Sequence, residues 1–370
     1  MKQILPFIFM LLFLGILVGA NIYLSRRFAW YFDIGHTWPL NLGFALLVLI
    51  MVLGVAVFTN ATGMVGHLIY ITGAVLMGLL LYLLLSVLVV DLASLVIKVA
   101  PRYFGFAVLF LTLSVSAFGI LNAFNIKTRE IEVEIPGLKQ ELRAMHLTDI
   151  HLGHFRGPVF LQKLVDKTNA QDVDMVLITG DLYDGKIRFC DACLDPLQAL
   201  NAPVYFVEGN HDGYSGVERV KSGLRKVGVN VLSNQMILQG EIQIIGLNHM
   251  SADEKDVNMH ANGHKATISS ILPGIPTDPE KPIVLLHHSP EGIEYAAQKG
   301  VDLYLSGHTH GGQLFPVNYI GELIFRFNKG LHDFKGTKIY VGEGAGTFGP
   351  PMRVGTHSTV TVINLKPVKQ

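Results

Sequence analysis

The chain has 370 residues with 29 basic and 29 acidic side chains, so its formal charge at pH 7 is zero, and half of its residues are apolar. That balance excludes the basic electrostatic footprint of a nucleic-acid binder, and no nucleic-acid partner is expected. The charge is also unevenly placed: the first 124 residues hold five basic and two acidic side chains, leaving 24 basic and 27 acidic for the remainder.

Four uncharged apolar runs come first, at residues 4–24, 40–58, 68–90 and 103–124. Each is close to the roughly 20 residues a helix needs to cross the hydrocarbon core. A cleavable signal peptide fits the first run poorly, because its apolar stretch is long and three similar runs follow. Trp30, Tyr31 and Trp38 lie in or beside the first link, where amphipathic rings sit at headgroup level. Residues 1–125 are therefore expected to form a four-helix transmembrane region, multi-pass in the plasma or inner membrane, with the lipid bilayer as partner. Asp91 ends the third run and reads as a boundary residue, not as part of an ion pathway. The first and third links carry Arg26, Arg27, Lys98 and Arg102, against Lys2, Lys127 and Arg129 on the other face. The positive-inside rule then puts those links in the cytoplasm and the C-terminal domain outside.

Residues 126–370 read as one α/β domain. Alternating Ile131, Val133 and Ile135 suggest an opening strand. Strand, helix, strand, helix, strand, helix follow at 142–147, 159–169, 175–179, 192–200, 204–207 and 215–227. Strand-like pieces come next at 229–232, 242–247, 283–286, 303–306, 338–341 and 359–365. Such a succession predicts helices layered on mixed sheets. The polar stretch 251–281, with Pro273, Pro276 and Pro279, reads as a surface excursion. Cys190 and Cys193 have no second pair to complete a thiolate site, so they read as ordinary half-buried residues.

The chemistry-bearing residues fall directly after the predicted strands. They are Asp149 and His151 in TDIHLG, Asp181 in TGDLYDG, Asn210 and His211 in EGNHDG, His288 in LLHHSP, and His308 and His310 in SGHTHGG. In open α/β sheets the strand ends are where ligands bind, so distant clusters can converge there. Mixed carboxylate, carboxamide and imidazole donors suit Mn, Fe or Zn better than a thiolate site does, and their number suffices for two ions. A lone D-x-H or G-D would be an ordinary turn. The ordered set of five, each after a strand, is what carries the reading.

That order, D-x-H, G-D, G-N-H-[DE], H, G-H-x-H, resembles the calcineurin-like metallophosphoesterase superfamily, and the tail IYVGEGAGTFGPPMRVGTHS is similar to its bacterial membrane-associated branch typified by YkuE. The resemblance implies a calcineurin-like layered α/β domain and a phosphodiesterase or phosphatase activity. It implies a first metal on Asp149, His151, Asp181 and His310, and a second on Asp181, Asn210, His288 and His308, with Asp181 bridging. Two such ions lower the pKa of a bridging water and clamp the attacking and leaving oxygens. His211 would face the scissile phosphate as acid or charge stabiliser, oriented by Asp184, with Asp212 as the competing carboxylate. His288 takes the metal role because one residue and a proline follow it, which leaves His287 to packing. Gly307, Gly311 and Gly312 would let backbone approach the metals. The membrane segment favours a lipid-linked or envelope phosphoester as substrate. The rivals are a metal-binding scaffold without catalysis and a transport-associated protein with an accessory domain; uncharged membrane runs speak against the second.

Overall fold

In the computed structural model, residues 5–185, 191–254 and 266–368 are described. The apolar runs form α1 (Leu5–Phe32), α2 (Trp38–Phe58), α3 (Met64–Ser94) and α4 (Pro101–Phe124). Among the described residues these four helices are long and apolar enough to cross a membrane. By contact density the chain divides into one unit of Met1–Leu121 with Gly349–Pro351, and a second of Asn122–Phe348 with Met352–Gln370.

Within the first unit, Gly54 of α2 and Gly73 of α3 meet so closely that a Cβ on Gly54 would stand 2.9 Å from the Gly73 Cα. This is how small residues let apolar helices pack in lipid. Helices α1 and α3 run past the uncharged stretches and include Arg27 and Asp91. Asp91, near the C-terminal end of α3, forms an ion pair with Arg27 and accepts hydrogen bonds from Tyr23 (2.5 Å) and Tyr31 (2.9 Å). The Arg27 guanidinium lies 4.3 Å over the Trp30 ring. A charge in or near the membrane is costly alone, and pairing with hydrogen bonds is the usual remedy.

The second unit comprises β1 (Lys127–Ile135), β2 (Leu142–Leu147), α5 (Pro158–Asn169), β3 (Met175–Thr179), β4 (Val204–Val207), α6 (Asn210–Lys226), β5 (Asn230–Val231), β6 (Gln235–Gln239), β7 (Ile242–Gly246), α7 (Ile268–Ile271), β8 (Ile283–Leu286), α8 (Ile293–Lys299), β9 (Leu303–Ser306), α9 (Val317–Ile324), β10 (Gly330–Phe334), β11 (Thr337–Val341) and β12 (Thr359–Pro367). The strands form two six-stranded sheets, ordered β1-β12-β2-β3-β4-β5 and β10-β11-β9-β8-β7-β6. Alternate residues of both sheets, among them Leu177, Val207, Ile244, Leu286 and Leu305, build the core between them. The other face of the first sheet is covered by Leu161, Leu164 and Val165 of α5 and Val220 and Leu224 of α6. Ile268, Leu272, Ile293 and Ala296 cover the second sheet. Strands buried on both faces read as continuous apolar runs, as MVLIT in β3 and IVLL in β8 do.

The segment 192–200 is a 3-10 helix at Asp191–Ala199, because Pro196 inside it removes a donor an α-helix needs. Part of the stretch read as a surface excursion is core instead: Ile268, Leu272 and Ile275 are buried, while residues 255–265 lie outside the described residues. Cys193 is half-buried and not a free thiol; Cys190 lies outside the described residues.

Candidate metal centre

Parallel pairing sets the site. Strands β2, β3 and β4 run parallel side by side in one sheet, and β8 and β9 do so in the other. Their C-terminal ends deliver Asp149 and His151, Asp181, Asn210, His288, and His308 and His310 respectively. The chain must turn sharply at this edge, and five of the seven candidate ligands adopt a left-handed backbone: Asp149 (φ 51°), His151 (51°), Asp181 (52°), His308 (71°) and His310 (51°). Each such conformation is unfavourable by roughly 1–2 kcal/mol for an L-residue. Strain concentrated on side chains of one chemical kind is a mark of function. Gly307 passes so near the Asp149 carboxylate, and Gly209 so near that of Asp181, that a Cβ at either would collide. Gly311 and Gly312 serve differently, through positive φ and, at Gly312, contact with Asn318.

Among the described residues, Asp149, His151 and His310 converge in one group and Asp181, His288 and His308 in another. In the first, His151 Nε2 is 3.1 Å from His310 Nε2, which is 3.4 Å from Asp149 Oδ1. In the second, His288 Nε2 lies 3.2 Å from both Asp181 Oδ2 and His308 Nδ1. Asp181 Oδ2 is also 3.7 Å from His151 Nε2, so this oxygen stands between the groups. Asn210 opens α6, and its Oδ1 is buried without a hydrogen-bond partner. Ring nitrogens crowded on carboxylate oxygens, beside an orphaned carboxamide oxygen, fit divalent cations.

The imidazoles are held from behind. His288 Nδ1 donates to the Thr179 carbonyl at 2.8 Å, and His151 Nδ1 donates to Asp184 Oδ1 at 3.1 Å. Each bond turns the Nε2 lone pair toward the centre. Fully buried Arg353 donates to the carbonyls of His310, Glu343, Gly344 and Gly346, with Nη2 also 3.2 Å from His310 Nδ1. Burial pushes the Asp149 carboxyl up, and Asp181 adds to the effect while His288 opposes it. Burial acts on Asp181 too, but His288 and His211 outweigh it and hold that carboxyl well below its usual range. For His288 burial favours the neutral ring, yet Asp181 and Asp149 prevail and raise it to about 9. A cation between these atoms would take that proton's place.

His211 lies beside this array. Its backbone N–H donates to Asp181 Oδ1 (2.8 Å), and its Nδ1 is 3.5 Å from Asp184 Oδ1, close but not hydrogen-bonded. Burial lowers its pKa. Its ring stands edge-on to His151 at 4.8 Å and to Phe348 at 5.2 Å. Asp212 does not face His211: its carboxylate accepts the backbone N–H groups of Gly209, Leu182 and Tyr183. His287 is buried against Ser289 and Tyr304, with burial lowering it to about 4.

One residue at the centre has no counterpart in the motif reading. His249 is fully buried, and neither of its ring nitrogens has a hydrogen-bond partner. Its ring lies 5.6 Å from that of His288 and 6.1 Å from that of His308. It follows β7 as the other donors follow their strands, which is the one signal its sequence position offered. Arg353 and Phe348 lie in the quoted tail but carry no metal-ligand chemistry that would single them out.

A two-sheet α/β domain with a histidine- and aspartate-rich centre at its strand ends is the architecture of a metallophosphoesterase. The chain belongs to the calcineurin-like phosphoesterase family, whose sequence model matches residues 142–312. An uncharacterised metallophosphoesterase of Aquifex aeolicus is 31% identical over 268 residues, covering 70% of this chain and 98% of that protein. One from Campylobacter jejuni is 36% identical over 244 residues, 65% of this chain and 63% of that protein. A Danio rerio protein described as a transmembrane protein with metallophosphoesterase domain is 34% identical over 272 residues, 70% and 62% of the two chains. The chain thus spans somewhat less than two thirds of the latter two relatives. The family uses divalent metals, and the clustered His and Asp groups of this chain can bind them.

Proposed function

We propose that this protein is a membrane-anchored phosphoester hydrolase working with two divalent cations, of Mn, Fe or Zn type. The observation that carries the reading is the position of Asp181 Oδ2, within 3.2 Å of His288 Nε2 in one donor group and 3.7 Å of His151 Nε2 in the other. Asp149, His151 and His310 would hold one cation, Asn210, His288 and His308 the second, and Asp181 both. Bound there, the cations would supply a water of lowered pKa and neutralise phosphoryl oxygens. The chain's own part is orientation and proton handling. Asp184 fixes His151 through Nδ1 and stands next to His211. His211, a partly exposed imidazole at the N-terminus of α6, is suited to meet a phosphate oxygen and, when protonated, to give a proton to the leaving group.

The substrate we propose is a lipid-linked or envelope phosphoester, because four membrane-crossing helices precede the domain. Within the family the YkuE-like branch is the proposed home, supported by GHTHGG and the PPMRVG tail. The membrane is taken as the plasma or inner membrane, with the active site facing outward. A scaffold without catalysis is disfavoured by His211, which no ligand role needs. The test is hydrolysis of a soluble aryl phosphodiester by the full chain in detergent, with Mn²⁺ against chelator. Metal-dependent turnover is expected. A chain that retains two Mn²⁺ yet turns over neither aryl diesters nor monoesters would overturn the proposal.

A further inference from the structure

Helix α9 is oriented the reverse way for a water-facing helix. Its buried side is Asn318 and Gly321, whereas Tyr319 and Ile320 are at least half exposed and Leu323 and Ile324 are 87% and 70% exposed. Packing dictates the buried side: Asn318 lies against Gly312, and a Cβ on Gly321 would stand 3.2 Å from the Asn328 amide. Exposed Phe315, edge-on to Tyr319 at 5.9 Å, extends the apolar face. Glu322 is the single charged residue in 311–325. A surface helix normally turns polar side chains outward, and a contiguous apolar exception marks an interaction site.

The chain itself indicates what covers this face. Only Asn125 and Ile126 separate α4, the last membrane-crossing helix, from β1. Asn122, in the last turn of α4, donates to the carbonyls of Arg353 and Thr356 at 2.9 Å each, and the Phe315 N–H donates to the Val354 carbonyl at 2.8 Å, so Phe315 and the start of α9 lie beside the end of that helix. An apolar face held there meets lipid at high effective concentration. We infer that α9 and Phe315 insert into the boundary between headgroups and acyl chains as an interfacial helix. The face also adjoins the metal centre: Phe325, directly after α9, is edge-on to His308 at 5.9 Å, and Gly312 beneath Asn318 belongs to the short turn that carries His310. An amphiphile with its apolar part in the membrane would thereby offer its phosphoester to that centre. This last step rests on the proposed hydrolase function; the insertion does not.

The test uses the full chain in lipid nanodiscs, with Trp30→Phe and Trp38→Phe as background. A Leu323→Trp probe should be quenched about twofold by lipids brominated near the headgroup end of the acyl chain, and shielded from aqueous iodide. A Leu238→Trp probe, on the exposed side of edge strand β6, should respond in the opposite way. Iodide quenching of Leu323→Trp equal to that of Leu238→Trp, with no effect of bromolipid, would overturn the insertion. In the otherwise native chain, Leu323→Glu should lower turnover of a long-chain phosphoester in vesicles about tenfold while leaving a soluble aryl phosphodiester unaffected. Equal effects on both substrates would overturn delivery from the membrane. No turnover of either by the native chain would sink the hydrolase reading and leave the quenching result standing.

Discussion

Asp184 joins His151 to His211: its Oδ1 accepts from His151 Nδ1 at 3.1 Å and lies 3.5 Å from His211 Nδ1. Asp212, the other carboxylate near His211 in sequence, instead accepts three backbone N–H groups. The two aspartates should therefore fail differently. Asp184→Ala is expected to lower kcat about 10²-fold with little change in thermal stability. Asp212→Ala strands buried donors and should destabilise the domain by about 3 kcal/mol. Initial rates and thermal unfolding of both variants decide it; a stable Asp212→Ala protein with a large rate defect would reverse the assignment.

Asp181→Asn should release more metal than Asn210→Ala, because Asp181 Oδ2 faces both donor groups while Asn210 offers a single orphaned oxygen. Metal content after dialysis, by mass spectrometry, is the measurement. Two metals per chain retained in Asp181→Asn would remove the bridging role.

His211→Ala is expected to keep both metals and lose about 10²- to 10⁴-fold in rate. The loss should shrink for nitrophenolate leaving groups, which need little protonation. An equal loss for alkoxide and nitrophenolate esters would assign His211 to charge stabilisation instead.

His249 holds two unpartnered nitrogens in a fully buried ring beside His288 and His308. A buried polar group without partners costs about 1–3 kcal/mol. His249→Phe should then raise the unfolding temperature of chelator-treated protein, yet reduce the further rise that Mn²⁺ brings by binding the native state. A lower metal-free unfolding temperature with an unchanged Mn²⁺ increment would make His249 a packing residue.

Sidedness is testable with reporters fused after Gln370: alkaline phosphatase should be active there, and a fluorescent protein that matures only in the cytoplasm should stay dark. The prediction rests on Arg26, Arg27, Lys98 and Arg102 in the first and third links, while Lys127 and Arg129 lead into a large domain that can translocate largely regardless of flanking charge. Bright fluorescence with no phosphatase activity would place the site in the cytoplasm.

Local signals made much of this protein legible from sequence. Helices that cross a membrane must be long and apolar, and strands buried on both faces must be short and apolar, so 40–58, 175–179 and 283–286 could be read in isolation. Candidate donors such as Asp149 and His308 were legible because each follows such a strand. Features set by partners far along the chain were not legible. Pairing of Arg27 with Asp91 across 64 residues needed α1 and α3 packed together. The choice between Asp184 and Asp212 depended on which carboxylate the backbone of 182–183 and 209 would consume. His249 carries no motif, and only the packing of β7 beside β8 brings it against His288. The outward apolar side of α9 likewise followed from Gly312 and Asn328 claiming Asn318 and Gly321. Sequence period states that a helix has two sides, but the neighbours it folds against decide which one meets solvent or lipid.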